Sequence, residues 1–184
     1  MNKKLTFDEM LAVQRGESLE EYRNEKILRA RIYDESQKYI GAPVQRWPKI
    51  KFNWDIEEGS QRFCFDGNSI EEFNKYYPEG LKLGYVSLND FDKKLCHYSR
   101  RDGDELWQLG SESKLAHLIV YLSEGQPISP PVPKPTYNEE VILIGGHHRY
   151  AIAKVLGEEN IPICVCPEHI VGIKQRLNVE WVDI

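Results

Sequence analysis

No stretch of this chain approaches the roughly 18 to 20 consecutive apolar residues that a helical bilayer span requires. No membrane partner is therefore expected from its 184 residues. A basic excess is missing too. The formal net charge is −5, whereas proteins that coat nucleic acid carry surplus Lys and Arg to neutralise phosphates. Nucleic acid is thus a disfavoured partner, although a local basic cleft could exist inside an acidic whole. Cysteine is sparse: Cys64, Cys96, Cys164 and Cys166 are the only four, and their spacing is not that of a disulfide framework. There is no C-x-x-C or H-x-x-x-H pair, so no metal-ligating set is expected. Cys164 and Cys166 would share one face of a strand, and small buried apolar side chains are the plainer reading of both. An apolar leader run is absent as well. The segment from Met1 to Glu9 turns acidic where a signal peptide would be greasy, which predicts a cytoplasmic protein with reduced thiols.

What is present is an ordinary globular composition, 41% hydrophobic and 29% charged, enough for one domain with a real core. We divide it into an N-terminal helical and hairpin extension over residues 1–80 and an α/β domain over residues 81–184. Three S/T-x-x-E capping boxes, at Thr6, Ser18 and Ser69, predict helix starts in the extension. The first helix should stop near Gly16 and the second near Tyr39, before Gly41. The polar–apolar alternation of residues 49–54, the turn at residues 57–60 and the run 61–65 predict a hairpin, with a further turn at Asp66-Gly67-Asn68.

From residue 83 the pattern becomes mixed. Residues 83–88 read as a strand, and residues 90–99 as a loop or a single helical turn. An amphipathic helix from Ser111 carries Leu115, Leu118, Ile119 and Leu122 on one face and ends at Gly125. Five of the ten prolines fall within residues 127–135, which predicts an edge strand or extended connector, since proline cannot donate to a ladder. Val141-Ile142-Leu143-Ile144 suits a buried central strand. A helix from His148 to Leu156, closed by Gly157, and a final core strand at residues 161–165 complete an α/β (α+β) fold with a small mixed sheet and flanking helices.

The junction Ile144-Gly145-Gly146-His147-His148-Arg149 carries the chemistry. A helix N-terminus presents N–H groups without intrahelical acceptors and a partial positive charge, which favours an anion. Gly145 and Gly146 remove side chains that would keep a phosphate from the backbone. Arg149 can grip phosphate oxygens with two parallel hydrogen bonds. His147 and His148 can donate, and His147 is the candidate acid or base. Upstream, Arg100 and Arg101 could reach phosphates, and Asp102, Asp104 or Glu105 could hold Mg²⁺ or act as a base. A solvated charged loop is the plainer account of that segment, and packing the plainer account of Tyr98 and Trp107.

The order of Pro130-Pro131-Val132, the strand 141–144, the Gly-Gly-His-His-Arg run and Ile161-Pro162 resembles the ParB/sulfiredoxin superfamily over about residues 84–167. That resemblance implies a small α/β domain holding nucleotide phosphates at a helix N-terminus. Gly146, His148 and Arg149 match the family's phosphate-binding Gly, His and Arg. His147 stands where sulfiredoxins have their catalytic cysteine, so sulfinic acid reduction lacks its nucleophile and is not expected. The preceding helix places Lys114, His117 and Tyr121 along one stripe. Lys114 agrees with the family's nucleotide-facing lysine, while His117 and Tyr121 depart from its hydroxyl residues. ParB partition proteins continue into a helix-turn-helix domain, whereas this chain stops soon after its last core strand, so partition by that route is not expected.

The resemblance implies a nucleotide-binding protein that takes ATP, ADP or CTP, with Mg²⁺, and hydrolyses NTP or transfers its phosphoryl group. Two alternatives stand beside it. One is a non-catalytic, nucleotide-switched module whose N-terminal extension docks a protein; the other is a ParB-like nuclease or DNA-associated protein.

Overall fold

The computed structural model describes residues 4–14, 16, 18–65, 69–102, 105–108 and 110–182. Its helices begin where the capping chemistry says they should. Thr6 and Glu9 exchange hydrogen bonds ahead of α1 (Phe7–Gln14). Ser18 accepts from Glu21 N–H ahead of α2 (Leu19–Ser36). Ser69 and Glu72 form a full capping box on α3 (Ile70–Tyr76). In each case a side-chain oxygen satisfies an N–H that has no acceptor inside the helix. A 3₁₀ turn over Gln37–Tyr39 continues α2 up to Gly41. The turn expected at residues 66–68 lies outside the described residues.

The hairpin expected at residues 49–65 does not form. Residues 50–53 are irregular, Trp54 makes a single parallel bridge to Ile128, and Glu58–Cys64 is a 3₁₀ helix. The alternation was real but reports packing instead of a ladder. Phe52 and Trp54, two apart, stack at 4.9 Å on the main core. The backbone at residues 53 and 55 pairs with the proline-rich connector through Ile128. Buried Gln61 holds the 3₁₀ segment in place, accepting from Leu81 N–H (2.7 Å) and donating to Leu81 O (2.9 Å).

Beyond residue 80 the fold is α+β, with two small antiparallel sheets. Strand β1 (Lys82–Ser87) lies between β4 (Asn160–Val165) and β5 (Val179–Trp181). The second sheet pairs β2 (Val132–Pro135) with β3 (Val141–Gly145), with an irregularity between Val132 and Pro133. The two sheets meet where Cys164 N–H donates to Pro131 O (3.0 Å). Among the described residues, parallel pairing is limited to two single bridges, Trp54–Ile128 and Leu95–Val141, so the sheet is less mixed than expected. Strand β5 also follows the strand expected to be last.

Strand β3 is not central in a sheet. Its second edge is covered by the loop after α4 (Leu88–Lys94): Cys96 N–H donates to Val141 O (2.8 Å), and Leu143 N–H to Ser99 Oγ (2.9 Å). A covered edge satisfies its backbone as a neighbouring strand would, and so tolerates an uninterrupted apolar run. The short α5 (Glu105–Gln108) leads to α6 (Glu112–Ser123), whose Leu115, Ile119 and Leu122 are buried. They share one core with α7 (His147–Leu156), Phe91 and β4. The core also takes in Ala42 and Trp47 from the N-terminal region. Helix α8 (Ile170–Lys174) precedes β5.

Candidate functional site

The β3–α7 corner turns on Gly146, whose φ of 87° is a left-handed conformation that L side chains resist. Tyr150 N–H to Gly146 O (3.0 Å) starts the helical ladder, so the amides of residues 147–149 precede it. Helices α1, α2, α3, α4 and α6 each begin with a Ser or Thr oxygen accepting a first-turn N–H. Helix α7 begins with a residue that has no side chain to do so.

The glycines, however, also admit the protein's own backbone. A Cβ on Gly145 would stand 2.5 Å from the Cys64 carbonyl oxygen, and one on Gly146 would stand 2.7 Å from Pro131 Cα. The space expected to bare the amides to a phosphate is thus taken, on these two sides, by residues 64 and 131.

Arg149 is engaged in the same place. Its Nη1 donates to Ser129 O (2.6 Å), to Ser129 Oγ and to Pro130 O (3.4 Å), and its Nη2 to Cys64 O (3.1 Å). Instead of reaching outward as a phosphate fork, the guanidinium ties the proline connector and the 3₁₀ segment to α7. Carbonyls in partly buried loops need donors, and one planar cation supplies several.

His147 and His148 diverge. His147 Nε2 lies 3.5 Å from the buried Ser99 hydroxyl. Burial, then the Arg101 and Arg149 charges, hold its pKa below the usual histidine value, so the ring is neutral at pH 7. His148 reaches toward the segment before α6, its Nε2 3.0 Å from where a Gly110 Cβ would stand.

The α6 stripe does not join this corner as one surface. His117 and Tyr121 stack at 6.3 Å and feel the charges of α2: burial, then Arg29, lowers the His117 pKa, while burial, then Glu25, raises that of Tyr121. Lys114 is exposed on the first turn, where its N–H donates to Ser111 Oγ (3.3 Å). The helix is amphipathic as expected, but His117 and Tyr121 of its polar stripe are half-buried beside α2 while Lys114 is exposed.

A charged network that sequence reasoning missed joins α4, the loop 96–102 and α7. Tyr150 donates its hydroxyl proton to Asp92. Lys154 bridges Asp92 and Asp102, each at 2.8 Å, and Arg100 pairs with Asp102 at 2.7 Å. Burial, then Asp92, pushes the Tyr150 pKa up, and Lys154 holds the Asp102 carboxyl below its usual value. The network anchors the loop that carries Arg101, whose Nη1 donates to Tyr98 O and Arg100 O. The i, i+4 pair Tyr150 and Lys154 was the available signal, since such residues share a helix face.

Asp104 lies outside the described residues, while Glu105 accepts from Asp102 N–H (2.8 Å). Trp107 is a packing residue, as expected: its Nε1 donates to Ala42 O and its ring meets Trp47 edge-on. Among the described residues, no three His, Cys, Asp or Glu side chains gather as a metal cage. Two shallow concavities, one lined by Lys4, Thr6, Glu9 and Arg23 and the other by Tyr76, Pro78 and Glu168 among others, include no residue of α7. Comparisons of this chain with protein-family models, with curated proteins and with solved structures return no match.

Proposed function

We propose that this protein binds nucleotide phosphates at the N-terminus of α7, in a fold of the ParB/sulfiredoxin type. The observation that carries the reading is the start of α7 on left-handed Gly146, without a side-chain cap, close to the Arg101 and Arg149 charges. A helix start of this kind favours an anion. In this reading the phosphates of ATP, ADP or CTP, accompanied by Mg²⁺, take hydrogen bonds from first-turn amides, His148 and Arg101, and Lys114 and His117 of α6 belong to the nucleotide-binding set. Arg149 acts indirectly, by holding residues 64 and 129–130 against the corner. His147, neutral at pH 7, is the candidate base for NTP hydrolysis or phosphoryl transfer.

A second reading, a nucleotide-switched module without turnover, is favoured by the commitment of Arg149 to carbonyl oxygens. That leaves one guanidinium fewer to stabilise a transferring phosphoryl group. In either case the N-terminal extension, residues 1–80, is proposed to dock a protein, in keeping with the exposed Phe7 and Met10 of α1.

The test is a melting-temperature panel with ATP, ADP and CTP, with and without Mg²⁺. Binding to the folded state raises Tm by mass action. We expect at least one nucleotide to raise it, Arg101→Ala to erase the shift, and phosphate release, if catalysis occurs, to vanish in His147→Ala. Binding without phosphate release selects the second reading. No shift with any nucleotide at millimolar concentration rejects both.

A further inference from the structure

Ser99 is a polar residue with no exposed surface, held in the loop that covers β3. Its N–H donates to Cys96 O (3.0 Å), Cys96 N–H donates to Val141 O (2.8 Å), and Lys154 grips the far end of the loop through Asp102 (2.8 Å). The hydroxyl is thereby fixed between β3 and the first residue of α7. It has two polar neighbours: Leu143 N–H, which donates to Oγ at 2.9 Å, and His147 Nε2 at 3.5 Å.

A serine hydroxyl has one proton and two lone pairs. The Leu143 amide can only donate, so it takes one lone pair. The histidine contact is long for a hydrogen bond and adds little to stability; its importance is directional. A neutral imidazole has one proton to place, and the partner of one nitrogen decides which carries it. Were that proton on Nε2, both neighbours would donate to Oγ, and the hydroxyl proton would lie buried with no acceptor among the described residues. A buried donor left unpaired is rarer and costlier than an acceptor with a spare lone pair. With the ring proton on Nδ1, Oγ–H donates to Nε2 and the buried proton is satisfied.

We propose that Ser99 is a positioning residue: it holds His147 in the tautomer protonated on Nδ1, so that the ring meets a bound anion as a hydrogen-bond donor and not as a base. Nε2, the basic nitrogen of that tautomer, is occupied by a hydroxyl with no exposed surface. The ring itself is only partly buried, which leaves Nδ1–H as the group with a proton to share. The ligand, a phosphate oxygen, rests on the nucleotide reading above; the tautomer does not. Of the two readings, this favours the module without turnover, since proton abstraction by His147 needs Nε2 free of Ser99.

The experiment records long-range proton–nitrogen correlations of the histidine rings in nitrogen-15-labelled, nucleotide-free protein near neutral pH, with His147→Gln identifying the resonances. We expect a protonated Nδ1 and an unprotonated Nε2, the latter far downfield. Ser99→Thr keeps the hydroxyl and should keep the pattern, whereas Ser99→Ala should move the proton to Nε2 or to a mixture of both tautomers. A packing role alone would not move a proton between ring nitrogens. Should Ser99→Ala not fold, the wild-type pattern decides alone. A wild-type ring protonated on Nε2, or an unchanged tautomer in Ser99→Ala, overturns the proposal. When ATP with Mg²⁺ raises Tm, the Nδ1 proton should shift downfield while Nε2 stays unprotonated; His147 resonances that stay still despite a raised Tm overturn the donor role. Absence of any Tm shift rejects the nucleotide reading instead, and the nucleotide-free spectra still judge the tautomer.

Discussion

The α1–α2 pair and the β3–α7 corner solve the same problem, attaching a helix to a body, by opposite means. The first is held mostly at its surface. Of α1 only Ala12 is buried, and of α2 only Ile32 and Ser36. Ion pairs such as Arg23–Glu9 (2.7 Å) and Arg31–Glu124 (2.6 Å) link α1, α2 and α6 in partial exposure to water. At the corner, backbone segments from residues 64, 129–131 and 145–149 approach until no side chain fits between them, and one guanidinium serves several of their carbonyls. Exposed ion pairs are screened and individually weak, whereas a close backbone approach leaves nothing able to move aside. Tolerance of substitution should therefore differ sharply between the two regions.

The largest effect belongs to Gly145→Ala. Its methyl would lie 2.5 Å from a carbonyl oxygen, and overpacking of this kind costs about 3 kcal/mol, to be read from urea denaturation without nucleotide. A cost near zero would mean that the 3₁₀ segment yields, and the contrast between the regions would fail.

Arg149→Ala comes next. It strips donors from Ser129, Pro130 and Cys64 and should cost about 2–3 kcal/mol, as unsatisfied partly buried acceptors do. Arg149→Lys should recover only part, because an ammonium cannot span the same fork. Unchanged stability in the nucleotide-free protein would mean that Arg149 is kept for a ligand.

A smaller, pH-dependent effect follows from His147. Its folded-state pKa is depressed by burial and by Arg101 and Arg149. Above the unfolded value of 6.5 both states are neutral and nothing is lost. As pH falls below 6.5 the unfolded chain binds the proton first, and stability declines until the folded-state pKa is passed. His117 shifts in the same direction and adds to the slope. A His147→Gln variant should flatten the decline between pH 6.5 and the acid limb; an unaltered slope would assign it elsewhere. The smallest change is expected for Arg31→Ala, a Tm shift near the resolution of the measurement that added salt does not enlarge. A large loss there would make the N-terminal helices as tightly built as the corner.

Local signals were legible where the chemistry is local. Thr6, Ser18, Ser69 and Ser111 start helices because each hydroxyl satisfies an amide three residues on. The strand–glycine–helix order at residues 141–156 could likewise be read directly. The hairpin at residues 49–65 was misread because period-two alternation reports which side chains face inward, not which backbone pairs with which. At the candidate site the glycines were read as making room for a ligand, and Arg149 as one of its donors. No local pattern discloses that Cys64 and Pro131 come from elsewhere to occupy that space. The Asp92–Lys154–Asp102 network was signalled only by the i, i+4 spacing of Tyr150 and Lys154, since its other members are brought together only when α4 and the loop 96–102 pack on α7.

The order of residues by itself determined where helices begin, which faces turn inward and where the chain must bend through a left-handed glycine. These outcomes depend on hydrogen bonds and sterics within a few residues. Only the tertiary structure decided what Gly145 and Gly146 are packed against and which acceptors Arg149 serves. Each of those contacts joins segments about fifteen to eighty-five positions apart, and such pairings are selected by the packing of the whole core.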